Sequence, residues 1–156
     1  MARLELLTPT PQDIEHITAN LRAADACELQ AVYGLEVDLL HCLTLSVAVS
    51  DDVYVAVNAA GEPVALTGVA SVSLLGGLGC PWLLGTNALL RYPRDIVTHG
   101  RQLVRKWDSK YSHMFNYVDS RNTRSIAWLQ RIGFVIPPAQ PHGRQGLPFH
   151  RFERCT

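Results

Sequence analysis

Most of the chemistry open to this 156-residue chain rests on fourteen cations, fourteen acids, six histidines and four cysteines. The histidines, at positions 16, 41, 99, 113, 142 and 150, have no ligand spacing and read as solvated or core side chains, with no metal site. Cys27, Cys42, Cys80 and Cys155 form no C-x-x-C pair, which predicts reduced, buried thiols in a reducing compartment. There is no H-E-x-x-H, no phosphate-binding loop, no dinucleotide fingerprint and no G-x-S-x-G, so those chemistries are set aside. Arg22, Asp25 and Glu28 follow at steps of three along one helical face, the pattern expected of an exposed ion-pair face.

The formal charge of zero conceals a division. Residues 1–90 carry Arg3 and Arg22 against ten acids, a balance of −8. Residues 91–156 carry twelve bases against Asp95, Asp108, Asp119 and Glu153, a balance of +8. A basic half of this kind either meets phosphates, nucleic acid or an acidic partner, or packs against the acidic half so that the charges interleave. Lysine occurs only as Lys106 and Lys110, and the arginines that make up the rest suit planar, bidentate contacts.

Length and composition frame these residues. A chain of this size with 47% hydrophobic and 18% charged residues predicts one domain, 1–156, with ample material for a core. Disorder, collagen and coiled coil are excluded by ordinary Gly and Pro counts and by the lack of a heptad. No apolar run reaches the ~18 residues of a membrane span. Met1-Ala2-Arg3-Leu4-Glu5 lacks the layout of a signal peptide, so an intracellular globule is expected.

The elements that must position the candidates follow from periodicity. Arg3 to Leu7 predicts a strand. Thr10, Pro11 and Asp13 predict a capped helix start, with Ile14, Ile17, Leu21 and Ala24 on its apolar stripe. Further helices are expected over 25–33, ending at Gly34, and over 37–49. Val53, Val55 and Val57 alternate, and a second β-type run over 64–75 makes a hairpin, followed by a strand over 80–86. Pro93 opens a helix whose stripe is Ile96, Gly100, Leu103 and Trp107. A strand over 114–118, a helix over 122–132, a strand over 134–136, a loop over 137–148 and a strand over 149–154 complete the chain. This order predicts an α/β (α+β) fold: one mixed, mostly antiparallel central sheet with helices on both faces.

The segment 118–134 carries a pattern of its own. Val118 ends a strand, Asn122 follows, Ser125 stands three residues on, and Gly133-Phe134 closes the helix. In physical terms Asn122 caps the helix and Gly133 supplies its left-handed end. The pattern resembles the C-terminal half of the GNAT (Gcn5-related N-acetyltransferase) superfamily, and the predicted element order matches that fold over nearly the whole chain. The resemblance implies that Asn122 and Ser125 lie near a cofactor, which in that family is acetyl-CoA.

Two family features are missing. The pyrophosphate of the cofactor is held there by an (Arg/Gln)-x-x-Gly-x-(Gly/Ala) turn, where glycines let backbone N–H groups approach phosphate. The corresponding stretch here is Leu90-Arg91-Tyr92-Pro93-Arg94-Asp95. It has no glycine, Pro93 removes a donor, and Asp95 puts an anion where phosphate would sit. Only Arg91 and Arg94 remain to grip phosphate. The tyrosine that many family members use to protonate the leaving thiolate is replaced by Leu129. Tyr111 or Tyr117 is left as the substitute acid, and Asp51, Asp52, His99 and His113 as bases that no spacing selects. No catalytic residue is therefore assigned.

Arg22-x-x-Asp25-x-x-Glu28, Trp82-Leu83-Leu84-Gly85-Thr86, Asn116-x-Val118-Asp119-x-x-Asn122, Trp128-Leu129-x-x-x-Gly133-Phe134 and Phe149-x-x-Phe152 together resemble small GNAT-like proteins of tailed bacteriophages. That group includes the internal virion protein A of podophages, and it shares the Trp-Leu in place of the tyrosine. The resemblance implies a fold kept after loss or change of cofactor chemistry and a virion- or assembly-associated role. It also implies phage structural proteins or a second copy as partner, and the virion or host cytoplasm as location. Nucleic acid held by the basic half, and acyl-CoA-dependent transfer to a host or phage amine, are the alternatives.

Overall fold

The computed structural model describes residues 3–73 and 75–156. Met1 and Ala2, read above for a leader, and Leu74, in the second β-type run, lie outside the described residues. Strand β1 (Glu5–Leu7) is followed by helices α1 (Pro11–Ala19), α2 (Ala23–Tyr33) and α3 (Leu39–Val49). Strands β2 (Asp52–Val57), β3 (Pro63–Ser73) and β4 (Leu78–Gly85) come next. A 3-10 turn (Asn87–Arg91) leads into α4 (Pro93–Asp108), then β5 (His113–Asp119), α5 (Thr123–Ile132), β6 (Gln140–His142) and β7 (Leu147–Cys155).

Local chemistry sets most of the boundaries. Thr10 accepts from the Asp13 N–H at 3.2 Å while Asp13 accepts from the Thr10 N–H at 2.9 Å, a capping box that starts α1. α1 stops at Ala19, so Leu21 leaves the helical stripe predicted for it and bridges to Thr86 at the end of β4. Asn122 caps α5 by accepting from the Ser125 N–H, and Gly133 ends it at φ +116°, a conformation that L side chains rarely adopt.

The strands form one seven-stranded sheet in the order β1-β2-β3-β4-β5-β7-β6. Every neighbouring pair is antiparallel except β4 and β5, which are parallel and share only Leu78↔His113 and Gly79↔Met114. Beyond those two rungs the strands diverge. Pro81 supplies a reason: its carbonyl accepts from Asn116 Nδ2 at 2.9 Å, so it faces β5, and the proline has no N–H to offer on that side.

Helices cover both faces. Ile14, Ile17 and Leu43 of α1 and α3 pack with Val55, Val57, Leu66 and Leu84 on one face. On the other, Leu103, Val104 and Trp107 of α4 pack with Val69, Met114, Val118, Phe134 and Phe152. The stripe expected on α4 is buried at Ile96, Leu103 and Trp107, and Gly100 sits against Ile132 of α5.

Two sequence expectations are corrected. Residues 134–136 are no strand: only Val135 bridges, to Glu153. Pro137 and Pro138 offer no N–H to extend the pairing, and the chain rejoins the β7 edge at Gln140–His142, inside the stretch read as loop. The four cysteines are free thiols, but they are not buried: Cys27 and Cys155 are exposed, and Cys42 and Cys80 half-buried.

Candidate functional site

The divergence of β4 and β5 opens a cleft of about 570 Å³ that reaches both faces of the sheet. Its walls are mostly apolar, with Leu29, Trp82, Leu103, Val118, Trp128 and Phe149 among them. Its wide end lies where β4 finishes at Gly85 and β5 at Asp119. Helix α2 crosses that end.

Arg22, Asp25 and Glu28 make the crossing, so the expected exposed ion-pair face is overturned. Arg22 is 5% exposed and Asp25 1%. Arg22 Nε and Nη2 donate to Asp25 Oδ2 and Oδ1, both at 2.8 Å. The Gly85 N–H, at the end of β4, donates to Asp25 Oδ2 at 2.8 Å. Arg22 Nη2 also donates to Ser125 Oγ at 2.9 Å, and its guanidinium lies 5.2 Å from the Trp128 ring centroid. Glu28 Oε1 accepts from the Asp119 N–H at 3.0 Å and from Asn122 Nδ2 at 2.9 Å. One helix thus ties the ends of both splayed strands and the first turn of α5. Asp25 and Glu28 are the only charged residues in α2, and that sparseness was the sequence signal that they turn inward.

Burial pushes the Glu28 carboxyl up to about 7, against the hydrogen bonds from Asn122 and the Asp119 N–H, which hold it down. Because the folded form holds this proton more tightly than the unfolded chain, Glu28's contribution to stability is full below pH ~4.5 and is lost as pH rises through ~7. The full loss is on the order of 3 kcal/mol. Glu28→Gln, which keeps an acceptor for both donors, should flatten this dependence. Urea unfolding of both proteins between pH 5 and about 8 measures it, and parallel curves would contradict the assignment.

The other candidates hold contacts of their own, although His99, Tyr117 and Leu129 also line the cleft while Asp51, Asp52 and His113 do not. Asp51 binds Ser71 and Tyr111, whose hydroxyl donates at 2.9 Å, and these bonds hold its carboxyl below the usual range. Asp52 accepts from Trp107 Nε1 at 2.8 Å and pairs with Lys106 at 3.1 Å. His99 Nε2 meets the Leu4 carbonyl at 2.9 Å, and His113 lies 3.3 Å from Glu153. Tyr117 stacks on His142 with centroids 3.7 Å apart. Leu129 packs against the α4 core.

Asn122 and Ser125 are brought together at the mouth of the cleft, while the exposed Arg91, ending the 3-10 turn, and Arg94, in the first turn of α4, are not among its lining residues. Residues 86–92, between β4 and α4, contain no glycine, and Pro93 opens the helix without an N–H. The Asp95 carboxylate accepts from the Leu4 N–H, so it clasps β1 to α4 instead of standing in a phosphate position. This set does not fit the glycine cradle by which an acyl-CoA pyrophosphate is held. The donors beside the splay, Gly85 N–H and Asn122 Nδ2, are spent on Asp25 and Glu28.

No family model and no curated protein matches the sequence. Solved structures do match in shape. An acetyltransferase (GNAT family) from Bacillus anthracis superposes with TM-score 0.71 at 11% identity, covering 98% of this chain and 95% of that one. The microcin C7 self-immunity acetyltransferase MccE, solved with acetyl-CoA and AMP, gives 0.70 at 10% identity, covering 99% and 93%. AAC(6')-Ib, solved with ribostamycin and coenzyme A, gives 0.65 at 16% identity, covering 99% and 93%. With its one parallel, splayed strand pair inside an otherwise antiparallel sheet, the chain has a GNAT-like fold.

Proposed function

We propose that this protein keeps the GNAT framework without using acyl-CoA, and acts by contact with other proteins in a virion- or assembly-associated role. One observation supports the absence of acyl-CoA use. The groups of Gly85, Asn122 and Ser125 that border the cleft mouth are occupied by Asp25 and Glu28 of the chain's own second helix and by Arg22 just before it. The particle role and the choice of phage structural proteins or a second copy as partner rest on the resemblance of the sequence pattern to small tailed-phage GNAT-like proteins. The virion or the host cytoplasm is then its place of action. Calorimetric titration with acetyl-CoA is the test: no heat of binding is expected at micromolar concentrations, and micromolar affinity would overturn the reading. Mass spectrometry of purified particles tests the particle role separately, with absence from particles and assembly intermediates counting against it.

A second reading, acyl-CoA-dependent N-acetyltransferase acting on a host or phage amine, is the one the comparisons favour. The structures similar in shape include acetyltransferases solved with coenzyme A or acetyl-CoA. In that reading Glu28, with a carboxyl poised near neutrality, is the group to accept the amine's proton. Release of free thiol from acetyl-CoA in the presence of an amine, lost in Glu28→Gln, would establish it.

A further inference from the structure

The division of charge along the sequence becomes a face in three dimensions. α4 and α5 lie side by side on one side of the sheet: Gly100 lets Ile132 pack close, and Arg101 Nε donates to the Arg131 carbonyl at 3.0 Å. Arg91, Arg94, Arg101, Arg105, Arg124 and Arg131 are all exposed along this layer. None of the six forms an ion pair among the described residues. The acids of the same stretch are withdrawn: Asp95 is bound to Leu4, Asp108 to Arg154, and Asp119 to Arg121. Among the described residues only two cross-half pairs, Lys106–Asp52 and Lys110–Asp51, interleave the charges, and both sit at or just beyond the far end of α4.

We propose that the α4–α5 layer is a docking surface for the phosphate backbone of duplex nucleic acid. Between the arginines the exposed positions are Pro93, Thr98, Gln102, Lys106, Thr123, Ala127 and Gln130, with no acid and no large aliphatic or aromatic side chain. A protein partner would call for an apolar interface centre, which this face lacks. A polymer of uniform negative charge needs only spaced cations. α4, with 16 residues, is about 24 Å long, which matches about seven base-pair steps at ~3.4 Å each. Guanidinium groups suit phosphate bidentately. Without exposed aromatic rings on this layer there is no stacking platform, so binding is independent of sequence.

The test is fluorescence anisotropy of a labelled duplex DNA against the full chain at about 50 and 200 mM salt. With four to six phosphates neutralised, log K should fall with log salt at a slope of about −4 to −5. The triple variant Arg101→Glu, Arg105→Glu, Arg124→Glu should lose at least about thirtyfold at the lower salt, since each reversed charge removes one contact and adds a repulsion. Arg144→Glu, away from this layer, should bind like the parent. These positions are exposed, so circular dichroism is expected to show both variants folded. No binding at the lower salt, or binding that survives the triple reversal, would overturn the proposal. So would tighter binding to polyglutamate than to DNA, which would assign the face to an acidic protein.

Discussion

Replacing Asp25 by alanine is expected to cost about 3–5 kcal/mol, the range for leaving one member of a buried ion pair without its partner. Had the pair been the exposed helical one that the spacing suggests, the loss would be below ~0.5 kcal/mol. The difference is burial. With Arg22 5% exposed and Asp25 1%, removal of the carboxylate strands a guanidinium between α2 and Trp128. The same substitution orphans the Gly85 N–H, a further penalty of about 1–3 kcal/mol where water cannot reach it. Arg22→Met with Asp25→Leu should recover the part due to the stranded charge, because two apolar side chains of similar volume leave no buried ion, while the Gly85 N–H stays without its acceptor. Urea unfolding of Arg22→Met, Asp25→Leu and the double variant forms a double-mutant cycle, and additive losses would mean that the two side chains are not coupled.

Trp107→Ala is expected to cost about 3–5 kcal/mol as well, through a different mechanism. The ring is 5% exposed and packs among Val69, Leu103, Val104, Tyr111 and Met114 under the narrow end of the splayed pair. Truncation leaves a cavity that a seven-stranded sheet cannot collapse into. Trp107→Phe separates packing from polarity: it keeps most of the ring and loses only the 2.8 Å bond to Asp52, for about 1 kcal/mol. Comparable losses for the two substitutions would show that the indole N–H, not the ring, matters.

The fold was legible where local chemistry and periodicity agree. Thr10-Pro11-x-Asp13, Gly133 and the Ile96–Trp107 stripe each specify their element without help from the rest of the chain. Pro137 and Pro138 misled in the opposite way, because a strand edge can resume beyond them and only the position of β7 shows where. The site was half legible. Asn122 and Ser125 stand in a recognisable pattern, but what occupies their side chains comes from α2, over 90 residues away in sequence. Helical spacing places Arg22, Asp25 and Glu28 on one face; which way that face turns is decided by contacts with Gly85, Asp119 and Asn122, to which spacing is blind. The charge division likewise says that a basic region exists, and only the pairing of Asp95, Asp108 and Asp119 shows that the acids withdraw from it.

The two rungs between β4 and β5 make the sheet a pair of panels, β1 to β4 and β5-β7-β6, each built from antiparallel neighbours and joined along a short seam. A seam of this kind divides the cooperative unit. Protection against amide exchange should be deepest within each panel and shallower at the seam, with the α2 brace setting how often the panels part. The Gly85 and Asp119 amides, each bonded to an α2 carboxylate and to opposite panels, are the reporters of that parting. Their exchange should quicken together when the brace is weakened, while amides in the middle of β3, paired on both sides, keep their rate.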